Sequence, residues 1–381
     1  MDCLRNGSVN MAMSPTPTKS FSGASELEEH MDFVSKQFSF KPGERCIVIG
    51  EIGVNHNRQE DMLFRLIDEG IAAGLDVIKL QRFKAEEEIA ALAPSTDYQI
   101  KAGEGDGQLE MARKLELPDE WLAKAFDYCK ERGVGFLCTA FDHSSVDFLA
   151  DRLGCKTVKI PSPEVSNKPL LQHMARKFDG LLLSTGASYL SEVACAIDWM
   201  AEVGPRELAL MHCLSEYPAP VDQANLRAMV SMREAFQVPV GYSDHTPGQV
   251  VAVVAAGLGA AMIEKHYTLD KNLPGPDHQA SLDIAELRAF VSAVRDANAS
   301  LGDGVKRPVA AEVANRPLIR KSVVCAAPAL KAGTPIAAHM LGVKRPWTLG
   351  AVEPFEIDNI LGLTLRRDKQ HDEALLWSDF H

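Results

Sequence analysis

Between residues 46 and 298, eight short apolar runs alternate with eight segments of helical period, and this alternation limits the fold more than any single motif. The runs are CIVIGEIG, DVIKLQ, GFLCTAF, TVKIPS, GLLLSTG, LALMHC, PVGYSDH and AAMIEKHY. The segments between and after them are MLFRLIDEGI, EWLAKAFDYCK, SSVDFLADRL, LLQHMARKF, LSEVACAIDWMA, LRAMVSMREAF, QVVAVVAAGLG and IAELRAFVSAVRDA. In the first of these, Leu63, Ile67 and Ile71 recur every four residues, which is one face of a helix. Strands that are apolar on both faces, each followed by a helix, predict an α/β fold whose parallel sheet closes into a (β/α)8 TIM barrel. The competing open, doubly wound sheet wants G-x-G-x-x-G after its first strand, and the chain has none there.

The rest of the chain is divided around this barrel. Residues 1–40, rich in Ser, Thr, Pro and Met, read as a partly disordered N-terminal extension, with 41–305 the barrel. A boundary follows LGDGVKRP, giving a linker over 306–319 and a small β-rich domain over 320–381, with pieces such as KSVVCAA and GLTLRR. The longest apolar stretch, VVAVVAAGLGAAMI, is broken by glycines and ends on Glu264 and Lys265, which argues against a membrane partner. No basic segment precedes an apolar one at the N-terminus, and the 8 cysteines contain no C-x-x-C pair; both point to a cytoplasmic protein with reduced thiols. A net charge of −12 excludes a general nucleic-acid binder and means that an anionic ligand needs local donors.

Active sites of such barrels sit at the C-terminal strand ends. Here every run ends in polar groups: Glu51; Lys79 and Gln81; Thr139; Lys159, Ser162 and Glu164; Ser184; Ser215 and Tyr217; Ser243, Asp244 and His245; Glu264, Lys265 and His266. Polar groups at buried strand ends are costly unless they bind something or one another. His245 and His266 close neighbouring strands, so both rings can reach one divalent ion, or each can bond a nearby carbonyl. His56 and His212 read as hydrogen-bonded wall residues. Lys79 and Lys159, with Ser162, Ser184 and Ser243, suit an oxyanion or phosphate; the alternatives are internal ion pairs with Glu51 or Glu164, and a Schiff-base lysine. The loop NLPGPDHQASL follows the eighth run and is expected to turn Asp277 and His278 toward the mouth, with Ser281 or Asp283 capping the final helix.

Taken together, GEIGVNHN, KLQ, KIPSPE, LSTG, MHCLSEYPAP, VGYSDHT, IEKHYTLD, PGPDHQASL and LGDG, in this order, resemble the sialic acid (N-acetylneuraminate) synthases and their nonulosonate-synthase relatives. The resemblance runs from about residue 45 to the C-terminus. It implies a TIM barrel followed by an antifreeze-like (SAF) domain. The implied reaction joins phosphoenolpyruvate to N-acetylmannosamine or a related 2-acetamido sugar and releases phosphate, with Mn²⁺, or else Mg²⁺ or Co²⁺, as cofactor. By the same resemblance, His245 and His266 are the metal ligands. Lys79, Lys159, Ser162, Ser184, Ser215 and Ser243 hold phosphoenolpyruvate. Glu51, Gln81, Glu164, Tyr217 and Asp277 line the sugar and proton-transfer side, with Glu51 or Glu164 as the base. Arg345 reaches the sugar site of the partner in a domain-exchanged homodimer. Three positions depart from the family pattern, each where Gly is usual: Arg58, Pro163 and Trp347. Trp347 follows Arg345-Pro346 directly and leaves the acceptor open to legionaminate, pseudaminate or deaminated-sialate precursors.

Overall fold

The computed structural model describes residues 46–93, 107–204 and 207–381, so the expected N-terminal extension lies outside the described residues. The chain divides into two units, one ending at Leu301 and the other running Gly302–His381. In the first, β1 (Ile47–Gly53), β2 (Val77–Arg82), β3 (Gly135–Ala140), β4 (Thr157–Ile160), β5 (Gly180–Ser184), β6 (Glu207–Cys213), β7 (Val240–Asp244) and β8 (Met262–His266) form a closed barrel in sequence order. Parallel pairing of β8 with β1, from Met262 beside Ile47 to His266 beside Glu51, closes it. Every residue of β1, β4, β5, β7 and β8 is buried, which is why these strands read as continuous apolar runs rather than alternating ones.

Two apolar layers result. Inside the barrel, Ile47, Ile49, Val77, Leu137, Leu182, Ala209, Met211 and Met262 form a plug beneath the mouth. Outside it, residues such as Leu63, Ile67, Leu122, Leu171, Met229 and Phe290 from the surrounding helices pack on the outward strand side chains. The strand period of two sorts the charges of β8 in the same way: Glu264 and His266 face inward, while Lys265 points outward to Asp244, 3.0 Å away. Asp283 caps the final barrel helix, Ile284–Ser300: its carboxylate accepts from the Glu286 N–H at 2.8 Å and Glu286 answers at the Asp283 N–H. Ser281 is therefore not the cap.

Two features differ from the sequence expectation. Between β2 and β3 the chain adds a short helix, Ala85–Glu88, and a longer one, Gln108–Leu115. The expected linker also contains helices, Ala310–Val313 and Arg316–Ile319, and clusters with the second unit. That unit has two antiparallel pairs, β9 (Ser322–Cys325) with β11 (Leu341–Lys344) and β10 (Ala329–Leu330) with β12 (Lys369–Gln370). Its own core includes Val323, Cys325, Ile336, Val352, Ile360, Leu365 and Leu375. Among the described residues no helix is long and apolar enough to cross a membrane, and the cysteines there are all free thiols.

Candidate active site

A cavity of about 480 Å³ opens at the C-terminal end of the barrel, and all eight strands contribute to its lining. Register explains the floor. Glu51 lies beside Lys79 across β1–β2, and Ser243 beside Glu264 across β7–β8. Lys79 bridges Glu51 at 2.8 Å and Glu264 at 3.2 Å, and Lys159 reaches Glu264 at 2.7 Å. Gln81 donates to the same Glu51 oxygen at 2.6 Å, leaving Glu51 Oε2 buried with no hydrogen-bond partner. The floor therefore holds two lysines and two carboxylates. Burial alone would raise the Glu264 carboxyl, but Lys159 and Lys79 hold it well below the usual range. Lys79 lies above its ordinary value because its two carboxylates outweigh its burial, whereas burial wins at Lys159 and lowers it. Internal ion pairing is thus real, with Glu264 rather than Glu164 as the second carboxylate.

Above the floor the two imidazoles face the cavity with ring centroids 5.7 Å apart. His245 donates through Nδ1 to the Leu214 carbonyl, which leaves Nε2 as the unprotonated nitrogen, 3.2 Å from the Tyr217 hydroxyl. The Tyr217 ring lies 4.1 Å from the His245 ring, tilted 30°. His266 Nδ1 is buried without a hydrogen-bond partner, 3.7 Å from Asp277 Oδ2. Burial, aided by His266, pushes His245 down to about 3; burial, aided by Lys79, does the same to His266. Both rings are therefore neutral and can offer lone pairs. Burial first and the Glu51 charge second push Asp277 up to about 7. Gly53, at φ +55°, brings the main chain against Asp277 and the His266 ring.

A third part of the lining is a hydroxyl cradle. Ser162 Oγ accepts from the Gly186 N–H at 2.9 Å and lies 3.3 Å from Cys213 Sγ. A Cβ on Gly186 would stand 2.3 Å from Ser215 Oγ and 2.9 Å from Ser162 Oγ, so only glycine fits there. Ser184 and Ser243 complete this polar group. The remaining wall is mostly apolar, with Phe83, Ile89, Met111, Leu115 and Phe141, and the inserted helices add the polar Glu88 and Gln108 to it.

Of the residues singled out from sequence, Glu51, Lys79, Gln81, Lys159, Ser162, Ser184, Ser215, Tyr217, Ser243, His245, His266 and Asp277 all line this cavity. Glu164 does not. The chain turns into a 3-10 helix over Ser162–Ser166, and the Glu164 carboxylate accepts from Asn167 Nδ2 at 2.6 Å. Of the three carboxyl residues expected at the site, Glu51 and Asp277 therefore line the cavity. His278 turns away as well: its Nδ1 meets the Thr268 hydroxyl at 2.6 Å. His56 and His212 are hydrogen-bonded as expected but do not line this cavity: one accepts from the Arg58 N–H at 2.9 Å and the other bonds the Ala224 carbonyl at 2.9 Å. Arg345 belongs to the second unit and is exposed there. Two departures from the family pattern find their reasons locally: Arg58 sits at φ +52°, the left-handed region that glycine prefers, and Pro163 lies in the first turn of the 3-10 helix, where proline is tolerated. Sequence reasoning assigned no role to Glu264, although its place two residues before His266 puts both on one strand face. Gly186 and Met111 gave no such signal.

The sequence matches the NeuB family model over residues 66–306 and the SAF domain model over residues 321–381. It is 41% identical to N,N'-diacetyllegionaminic acid synthase of Legionella pneumophila, covering 87% of this chain and 94% of that one. It is 38% identical to the N,N'-diacetyllegionaminic acid synthase of Campylobacter jejuni, covering 87% of this chain and 99% of that one. Among solved structures, the N-acetylneuraminic acid synthetase of Leptospira borgpetersenii in complex with citrate superposes with a TM-score of 0.64 at 28% identity, covering 71% of this chain and 90% of that one.

Proposed function

Because the chain belongs to the NeuB family of nonulosonate synthases, we propose that it condenses phosphoenolpyruvate with an unphosphorylated acetamido hexose and releases phosphate. The observation that carries this reading is the meeting, in one cavity, of two lysines, a hydroxyl cradle, two neutral imidazoles and the carboxyl groups of Glu51 and Asp277. The acceptor we favour carries two acetamido groups, since the relatives at 41% and 38% identity are N,N'-diacetyllegionaminic acid synthases. The apolar wall offers a second acetyl methyl group a place out of water. N-acetylmannosamine is the second reading, favoured by the likeness to the Leptospira structure.

His245 and His266 fit a divalent cation: both are neutral, and one presents a buried nitrogen without a partner. Among the described residues no group of three or more His, Cys, Asp or Glu side chains forms a metal site, so water and substrate oxygens would complete the shell. Such an ion, Mn²⁺ by preference and Mg²⁺ or Co²⁺ otherwise, supplies polarisation of the sugar aldehyde oxygen when bound. The chain's own groups do the rest. Lys79, Lys159 and the serines hold the carboxylate and phosphate of phosphoenolpyruvate. Its enol carbon attacks the aldehyde carbon, forming the carbon–carbon bond, and Asp277, whose carboxyl burial pushes up to about 7, gives its proton to the aldehyde oxygen. Glu51, through its unpaired Oε2, takes a proton from the water that adds to the cationic carbon of the former enol phosphate. The tetrahedral carbon then expels phosphate by carbon–oxygen cleavage. Gln81 and Tyr217 orient the sugar beside these groups. Arg345 contacts the acceptor in the partner subunit of a domain-exchanged homodimer, and free thiols suit a cytoplasmic place of action.

The test is phosphate release from phosphoenolpyruvate and Mn²⁺ with a panel of N-acetylmannosamine, a 2,4-diacetamido hexose and a non-acetylated hexose. Release with the diacetamido sugar, and a nine-carbon acid by mass spectrometry, is the expected result. Preference for N-acetylmannosamine would select the second reading. Silence throughout, with folded protein, would overturn the proposed reaction.

A further inference from the structure

Trp347 follows Arg345 and Pro346 directly, and its side chain is turned onto its own unit. The indole Nε1–H donates to Glu353 Oε1 at 2.8 Å, while Glu353 Oε2 accepts from Arg320 at 3.1 Å. The Trp347 main-chain N–H donates to the Pro317 carbonyl at 2.8 Å. The ring lines a cavity of about 390 Å³ with Arg316, Pro317, Arg320 and Glu353. One tryptophan thus ties the segment before β9 to the loop after β11.

That loop is pinned from its other side too. Ser322, fully buried, donates through Oγ to the Pro346 carbonyl at 3.3 Å and accepts from the Thr348 N–H at 2.9 Å. Lys344, just before it, pairs with Asp372. Arg345 sits between these anchors, exposed, and makes no hydrogen bond or ion pair among the described residues. The contrast is informative. Every main-chain and side-chain neighbour of Arg345 is tethered, and the guanidinium alone is left over.

We propose that Trp347, braced by Glu353, is a positioning residue that presents Arg345 to the acceptor sugar. This rests on the proposed function, in which Arg345 contacts that sugar. A smaller residue at 347 could make neither the indole hydrogen bond nor the ring packing, so both anchors of the loop depend on this tryptophan. Pre-set orientation reduces the entropy lost when a long charged side chain binds. The gain belongs to acceptor binding and leaves phosphoenolpyruvate untouched.

The experiment is a double-mutant cycle on the full chain, with KM for each substrate and kcat measured separately. Arg345→Ala should raise the acceptor KM. Trp347→Phe, which keeps a ring and loses the N–H, and Glu353→Gln should raise it roughly threefold to tenfold, the net scale of one ordinary hydrogen bond. The KM for phosphoenolpyruvate should stay constant in all three. In the Arg345→Ala background, Trp347→Phe should add nothing. Additive losses there, or Trp347→Phe leaving the acceptor KM unchanged while Arg345→Ala raises it, would overturn the positioning role. If Arg345→Ala itself has no effect while phosphate release persists, the assignment of Arg345 fails and this inference with it. Absence of phosphate release from the unmodified chain would instead fault the proposed reaction.

Discussion

His245 and His266 share one cavity but are prepared differently. The first has its tautomer fixed by the Leu214 carbonyl, and the second keeps a buried nitrogen with no partner. An unsatisfied buried nitrogen costs about 1–3 kcal/mol, a cost that a bound cation would remove. His266→Ala should therefore lose Mn²⁺ in equilibrium dialysis with metal analysis, with native circular dichroism, while His56→Ala should retain it; undiminished binding by His266→Ala would refute the ligand assignment. At this scale the sequence was informative wherever a side chain ends a strand, because strand period and barrel geometry fix its direction. It was uninformative after the strand, where loop backbone decides. Glu164 and His278 both follow strand ends, and both turn to neighbours, Asn167 and Thr268, whose positions no local pattern reveals.

The strands and outer helices were legible as elements because burial on both faces writes continuous apolar runs, and the helix period survives beside them. The helix Gln108–Leu115 was not legible. It has eight residues, and only Met111 and Ala112 are buried, too little for a periodic stripe. The two-residue strands β10 and β12 carry no readable period either. The missed helix nonetheless supplies Met111, Ala112 and Leu115 to the cavity wall, the side that the proposed function gives to the acceptor. Met111→Lys places a charge where the wall is apolar. It should raise the KM for a diacetamido acceptor at least threefold and leave the phosphoenolpyruvate KM unchanged. Equal rises for both substrates would show that the wall has no selective part.

On the scale of the molecule, the two units differ in kind: a closed barrel carries the polar cavity, and a small sheet-and-turn unit carries Arg345. The division was legible from the end of the strand–helix rhythm. Residues 306–319 read as a plain connector because their two four-residue helices have no buried residue and write no apolar period. If Arg345 serves a neighbouring subunit, the Arg345→Ala chain, weakened in acceptor binding, and the inactive His245→Ala chain, mixed after dissociation and assayed at low acceptor concentration, should regain up to about a quarter of wild-type activity through heterodimers with one intact site, by statistical pairing of a C2 dimer. No recovery would sink the exchange between subunits.

The paired floor has one more consequence. Its two lysines are balanced by two glutamates, while the chain as a whole carries a formal charge of −12. A multiply charged anion approaching from bulk solvent therefore meets a repulsive far field, and attraction begins only at contact distance. Mobile ions screen the far field beyond about 8 Å at physiological salt and leave the buried pairs largely untouched. Added salt should thus quicken the arrival of the anionic substrate, the reverse of the behaviour of proteins that draw anions in with a basic funnel.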